Sequence, residues 1–90
     1  MLKLRFLKKF NKDYKVIKKR KCDINKLKEI INILRNQKVL PKKYKDHSLT
    51  GDYAKYRECH IEPDWILIYR IENDTLTLVL FRTGTHSDLF

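Results

Sequence analysis

A chain of 90 residues with 42% hydrophobic and 11% aromatic residues carries enough apolar material for one modest core, so a single domain over 1–90 is expected. No run of about eighteen apolar residues occurs, and Lys3 and Arg5 interrupt the short apolar start, which argues against a helical membrane span or a secretory signal and makes a cytoplasmic protein the expectation. The net charge of +10 is lopsided, with 17 Lys or Arg against 3 acids in residues 1–45 and 4 against 8 in residues 46–90.

Leu2, Leu4 and Phe6 alternate with Lys3 and Arg5, a period of two that predicts a short first strand with one buried face. From about Leu7 to Arg20 the period changes. Phe10, Tyr14 and Ile17 recur every three or four residues with lysine between them, which predicts an amphipathic helix with a basic outer face. Asp23 is placed to cap a second helix, whose apolar stripe runs through Ile24, Leu27, Ile30, Ile31 and Leu34 to about Gln37. A connection of so few residues predicts an antiparallel helical hairpin.

Val39 to Asp46 contains Pro41 and three lysines and reads as a loop, followed by a brief extended piece at His47-Ser48-Leu49 and a break at Thr50-Gly51-Asp52. Tyr53 to Glu62 and Trp65 to Glu72 are predicted strands joined by a Glu-Pro-Asp corner, since Pro63 has no N–H to give to a ladder. The second is apolar on both parities, as a central strand covered on both faces must be. Asn73-Asp74 suits a two-residue hairpin turn, and Thr75 to Thr83 returns as a strand that Gly84 ends. The order predicts an α+β fold: a short N-terminal strand, then an antiparallel helical hairpin packed on one face of a mainly antiparallel sheet of four to five strands. The opposite sheet face is then open for a site.

All three histidines, His47, His60 and His86, fall in the second half, each near a strand edge or corner. The corner brings His60 near Asp64, and a meander allows Arg82 and His86 to approach the same rim. An imidazole that changes charge near neutral pH beside a carboxylate is a usual ingredient of acid–base chemistry. Cleavage of an RNA phosphodiester by its own 2′-hydroxyl needs a base, a cation for the phosphorane charge and an acid for the leaving 5′-oxygen. Histidines, a carboxylate and an arginine supply those roles, so no metal and no small-molecule cofactor are expected. Each residue also has a plainer reading, as a structural histidine or a simple ion pair such as Arg82 with Asp64 or Glu62. Cys22 and Cys59 lack a Cys-x-x-Cys spacing and read as two reduced thiols.

The concentrated positive charge of the first half is the footprint of a polyanion partner, although a lysine-rich solvated helix would give the same balance. Lys8, Lys12, Lys15 and Lys19 are the candidate RNA- or ribosome-contacting residues on the first helix.

Three ordered blocks carry a family resemblance: Tyr44-Lys45-Asp46-His47-Ser48-Leu49-Thr50-Gly51, the stretch from Tyr56 to Tyr69, and Arg82-Thr83-Gly84-Thr85-His86-Ser87-Asp88-Leu89-Phe90. Together they span about half the chain and resemble the YafQ branch of the RelE/ParE toxin superfamily. The resemblance implies a RelE-like fold and a ribosome-dependent mRNA endonuclease, the toxin of a type II toxin–antitoxin system, restrained by an acidic antitoxin encoded beside it. It implies that His86 is the general acid, that His60 and Asp64 do base or proton-shuttling work, and that His47 is a further active-site histidine. Arg82 matches an arginine that stabilises the scissile phosphate, and Phe90 an aromatic that positions the nucleotide. Two alternatives stay open: a ParE-like member that poisons DNA gyrase, for which three histidines around an arginine have no use, and a non-catalytic RNA-binding module, which leaves the histidines unexplained.

Overall fold

The computed structural model describes all 90 residues. Five strands form one sheet in the order β1-β5-β4-β3-β2, with β1 over Lys3–Phe6, β2 over His47–Ser48, β3 over Arg57–Glu62, β4 over Trp65–Glu72 and β5 over Thr77–Gly84. β1 pairs with β5 in parallel, and the other neighbours are antiparallel. Two helices, α1 (Lys8–Lys19) and α2 (Ile24–Arg35), follow β1, and a short third helix, α3 (His86–Leu89), closes the chain. No helix is long and apolar enough to cross a membrane.

The predicted periodicities explain the main elements. Phe10 and Ile17 of α1 and Leu27, Ile30 and Leu34 of α2 are buried, and α1 packs on β5 while α2 packs on β3. Asp23 caps α2 by accepting a hydrogen bond from Asn25 N at 3.0 Å. β4 runs through the middle of the sheet and sends Trp65, Leu67 and Tyr69 toward the helices and Ile66 and Ile68 to the other face, all buried. Each such side chain contributes roughly 1.5–3 kcal/mol of burial. The chain's first strand is tied to the end of α2 by Leu2 N to Arg35 O at 2.8 Å and Arg35 Nε to Leu2 O at 3.0 Å.

Three expectations change. Tyr53 is not in a strand: Gly51, at φ 64, turns the chain into a 3-10 turn over Gly51–Tyr53, and β3 begins only at Arg57. The β4–β5 connection is a four-residue turn with Leu76 at φ 49, whose carbonyl accepts from Lys3 N at 2.9 Å, so pairing with β1 delays β5 to Thr77. The second sheet face is not bare. Ile66 and Ile68 pack there with Leu89, Leu49, Tyr56 and Phe81, so the C-terminal helix and the 49–56 segment cover part of it and confine the site to the remainder.

Candidate active site

Sheet register decides which side chains meet. His47 on β2 is opposite Glu58 on β3, Glu58 is opposite Ile68 on β4, and Ile68 is opposite Arg82 on β5. The next row runs from His60 through Ile66 to Gly84. These rows lie on the face away from α1 and α2, because the alternating positions Cys59 and Leu67 belong to the helix-side core. His86 comes two residues after Gly84, at the first turn of α3.

The rows and the C-terminal turn converge on one carboxylate. Glu58 is buried, with 6% of its side chain exposed, and three imidazoles surround it: His47 Nε2 at 3.2 Å, His86 Nε2 at 3.3 Å and His60 Nε2 at 3.7 Å. His47 and His86 remain about half exposed (49% each), whereas His60 is 20% exposed. The rings lie side by side, with centroids 6.4 Å apart for His47 and His60 and 5.7 Å for His60 and His86.

Two backbone carbonyls set the ring orientations. His47 Nδ1 meets Lys45 O at 2.7 Å and His60 Nδ1 meets Pro63 O at 3.2 Å. A carbonyl only accepts, so both Nδ1 atoms carry hydrogen in these contacts, and Nε2 is the atom left facing Glu58. With Nδ1 donating to Lys45 O, His47 Nε2 meets Glu58 across one shared proton, carried by either partner. An imidazole and a carboxylate in this arrangement can take up a proton and pass it on. Asp46 fixes the neighbouring loop, accepting from Arg57 Nε at 3.2 Å and from the Tyr69 hydroxyl at 2.6 Å. Burial and that bond push the Tyr69 hydroxyl well above its ordinary pKa.

His86 is held by α3. Thr85 caps the turn by accepting from Asp88 N at 3.1 Å, and Asp88 accepts from Thr85 N at 2.9 Å, a reciprocal capping box. Asp88 also takes two bonds from Arg20 at the end of α1, at 2.6 and 3.0 Å. The Arg20 guanidinium, followed by the Thr85 N–H, holds the Asp88 carboxyl far below the usual carboxylate range. Gly84 makes the fold-back possible: at φ 154 it has the Asp88 carboxylate 3.0 Å from where a Cβ would stand.

Arg82 and Asp64 do not pair with each other. Arg82 donates Nε and Nη2 to Asp13 of α1 at 2.7 and 3.0 Å, and Asp13 also accepts from Thr83 N at 3.1 Å. The ion pair raises the Arg82 pKa further, and its partner is neither Asp64 nor Glu62. Nη1 of Arg82 has no protein partner. Asp64 is exposed at the β3–β4 turn and forms no hydrogen bond or ion pair, and Pro63 O orients His60 in its stead. Phe90 is 59% exposed and stacks with His86 at 6.0 Å, meeting Tyr53 edge-on at 5.5 Å. Tyr53 continues to Phe81 at 6.3 Å, and Phe81 stacks on Tyr56 at 4.4 Å, so an aromatic row leads away from His86. Lys8, Lys12, Lys15 and Lys19 are all exposed along α1, and none forms an ion pair.

Sequence reasoning missed Glu58, Asp13 and the aromatic row. Glu58 alone had a local signal, since residues i and i+2 of a strand share a face and His60 is two residues on. Glu58, His60 and His86 also present one ligand atom each, all within 4.8 Å of one another, a nitrogen–oxygen donor set of the kind that zinc- or copper-class ions take.

Comparison with known proteins gives the site its context. The family model described as "Bacterial toxin of type II toxin-antitoxin system, YafQ" matches residues 2–90. The "mRNA interferase toxin YafQ" of Escherichia coli (strain K12) is 48% identical over 82 residues, covering 90% of this chain and 87% of the relative. A metal-bound toxin from Helicobacter pylori superposes with a TM-score of 0.95 at 42% identity, covering 100% of both chains. The toxin chain in the E. coli DinJ–YafQ complex superposes with a TM-score of 0.89 at 43% identity, over 100% of this chain and 99% of that one. With a family match along nearly its whole length and the RelE-like sheet of its solved relatives, this chain belongs to the YafQ family of type II toxin–antitoxin toxins.

Proposed function

We propose that this toxin is an mRNA endoribonuclease that cuts translating message on the ribosome, with the Glu58 cluster as its catalytic centre. One observation carries the reading: a buried carboxylate with three imidazoles at 3.2–3.7 Å, open to solvent beside an exposed aromatic. The name of the E. coli relative supports the substrate.

In the reaction the 2′-hydroxyl loses its proton as its oxygen attacks the adjacent phosphorus. The bond from phosphorus to the 5′-oxygen breaks, leaving a 2′,3′-cyclic phosphate and a 5′-hydroxyl. The base is the Glu58–His60 unit, in which a proton taken at Nε2 is stabilised by the carboxylate, with His47 sharing the same oxygen. His86, half exposed beside Phe90, gives its proton to the leaving 5′-oxygen. Arg82, gripped by Asp13, offers the free Nη1 to the phosphorane charge. Phe90 stacks against a base of the bound message. Asp64, exposed at the corner, is left to relay protons to solvent. A cognate antitoxin restrains the toxin; we infer that it is an acidic protein encoded beside it, working in the cytoplasm, that covers the basic helix or the histidine rim.

These steps route no proton or electron pair through a metal. An ion at Glu58, His60 and His86, as the H. pylori relative's metal-bound state prompts, would occupy the lone pairs that proton transfer needs and so inhibit. Single-turnover cleavage on programmed ribosomes tests the reading. His86→Gln and Glu58→Gln are expected to slow cleavage by roughly 10²–10⁴ while leaving ribosome binding intact. With Mg²⁺ kept in excess for the ribosome, a chelator selective for zinc- and copper-class ions should leave the rate unchanged and added Cu²⁺ should lower it. Cleavage by His86→Gln at the parent rate from about pH 6 to 8 removes the acid from His86, and a rate abolished by that chelator with Mg²⁺ present makes a bound metal essential.

A further inference from the structure

β2 pairs only with Arg57 and Glu58, so no strand covers that edge of β3 beyond Glu58. A 3-10 turn over Lys42–Tyr44 stands there in its place, ending in Lys45 at φ 50. Between this turn, α2 and the β3–β4 corner lies a cavity of about 380 Å³, walled by Lys26, Glu29, Lys43, Tyr44, Lys45, His60 and Glu62. That size is at the lower end of ligand sites, which run from ~300 to ~1,000 Å³. His60 is its common wall with the Glu58 cluster.

Three lysines face two carboxylates, Glu29 and Glu62, in its lining, an excess of one positive charge. Lys26 is taken up by Glu62 at 2.8 Å, whereas Lys43 and Lys45 are exposed and form no ion pair. Lys43 Nζ rests 5.0 Å over the centre of the Tyr44 ring, and Tyr44 is itself half-buried against the core, which fixes it as a rigid wall. A fixed aromatic face, two unpaired lysines and room for one small unit are the fittings for a single nucleotide: the ring stacks on the base and the ammonium groups meet the phosphate.

A message whose scissile phosphate sits among Glu58, His60 and His86 must leave in two directions. One leads along Phe90 and Tyr53. The other crosses His60 and enters this cavity. We propose that the cavity is a subsite for the nucleotide flanking the scissile phosphate on that side, with Lys43 and Lys45 holding its phosphate and Tyr44 its base. The proposal rests on the endoribonuclease reading and adds a specificity determinant to it. The Lys45 carbonyl that orients His47 belongs to the same turn, so filling the subsite bears directly on the catalytic rings.

The test is phosphate and base interference in single-turnover cleavage on programmed ribosomes. Messages carry one methylphosphonate linkage or one abasic nucleotide on either side of the cut, and the enzymes are the parent, Lys43→Gln/Lys45→Gln, Tyr44→Leu and Tyr44→Phe. The double lysine variant is expected to cleave unmodified message about ten- to a hundredfold more slowly. A methylphosphonate on one flank should slow the parent by a similar factor and slow the double variant little further. Tyr44→Leu should show the same saturation with the abasic message, whereas Tyr44→Phe, which keeps the ring and the packing, should keep the sensitivity to the abasic nucleotide that Tyr44→Leu loses. If both lysine and tyrosine losses simply multiply with every modification on both flanks, the cavity does not hold the flanking nucleotide. If the parent leaves the unmodified message uncut, the endoribonuclease reading itself fails and the subsite falls with it.

Discussion

Arg82 has a structural partner and a free edge, and both matter for what it can do. Asp13 accepts from Nε and Nη2, which fixes the plane of the guanidinium and leaves Nη1 as the atom able to reach a phosphate oxygen. Lysine has one nitrogen and cannot satisfy Asp13 and a phosphate with the same geometry. Arg82→Lys should therefore lower single-turnover cleavage by about ten- to a hundredfold, the loss of one charge-assisted contact in the transition state. The pH profile should keep its shape, since no titrating group has changed. Asp13→Asn, which weakens the grip and keeps the size, should produce a smaller loss in the same direction. A parent-like rate for Arg82→Lys would mean that the guanidinium serves only to hold α1 to β5.

At the scale of elements, α3 shows how a four-residue turn can be decisive. Its capping box, the Arg20–Asp88 pair and the close approach at Gly84 together fix the direction of His86 and Phe90. The Asp88 carboxyl is depressed in the folded state from its ordinary value of 3.8, so its stabilisation is fully present above that ordinary value. It is lost as pH falls through the range below. Both partners are partly exposed, at 48% for Arg20 and 29% for Asp88, so solvent screening keeps the effect modest. Asp88→Asn should be less stable than the parent near neutral pH, and its denaturation midpoint should vary less between about pH 5 and 2. Equal slopes for the two proteins would show that Asp88 does not carry this acid sensitivity. The long elements were legible because α1, α2 and β4 repeat their pattern often enough to reveal a period. α3 was not, because four residues hold barely one turn, and the 3-10 turn at Gly51–Tyr53 hid behind the β-prone residues after it. Glu58 could have been read from its spacing to His60. The Asp13–Arg82 contact spans 69 positions, and no local pattern encodes a partner so far away.

Over the whole molecule the two halves divide the work by charge. The +14 balance of residues 1–45 lies mainly on the helices and the 38–45 segment, while the Glu58 cluster belongs to the acidic half. Lysines on α1 that have no acidic partner cost nothing to redirect toward phosphate, and each phosphate they neutralise releases counterions. On the proposed reading the ribosome offers a dense phosphate surface, and a field of this size would speed and orient the encounter before any base is read. Replacing Lys8, Lys12, Lys15 and Lys19 together by Gln should weaken ribosome binding and flatten the plot of log affinity against log salt by as much as about 3 if all four meet phosphates. Cleavage at saturating ribosome should change little, because none of the four belongs to the Glu58 cluster. Binding titrations from about 50 to 200 mM salt, paired with single-turnover rates at saturation, separate the two roles. An unchanged slope would mean that the lysines of α1 are only a solvated surface.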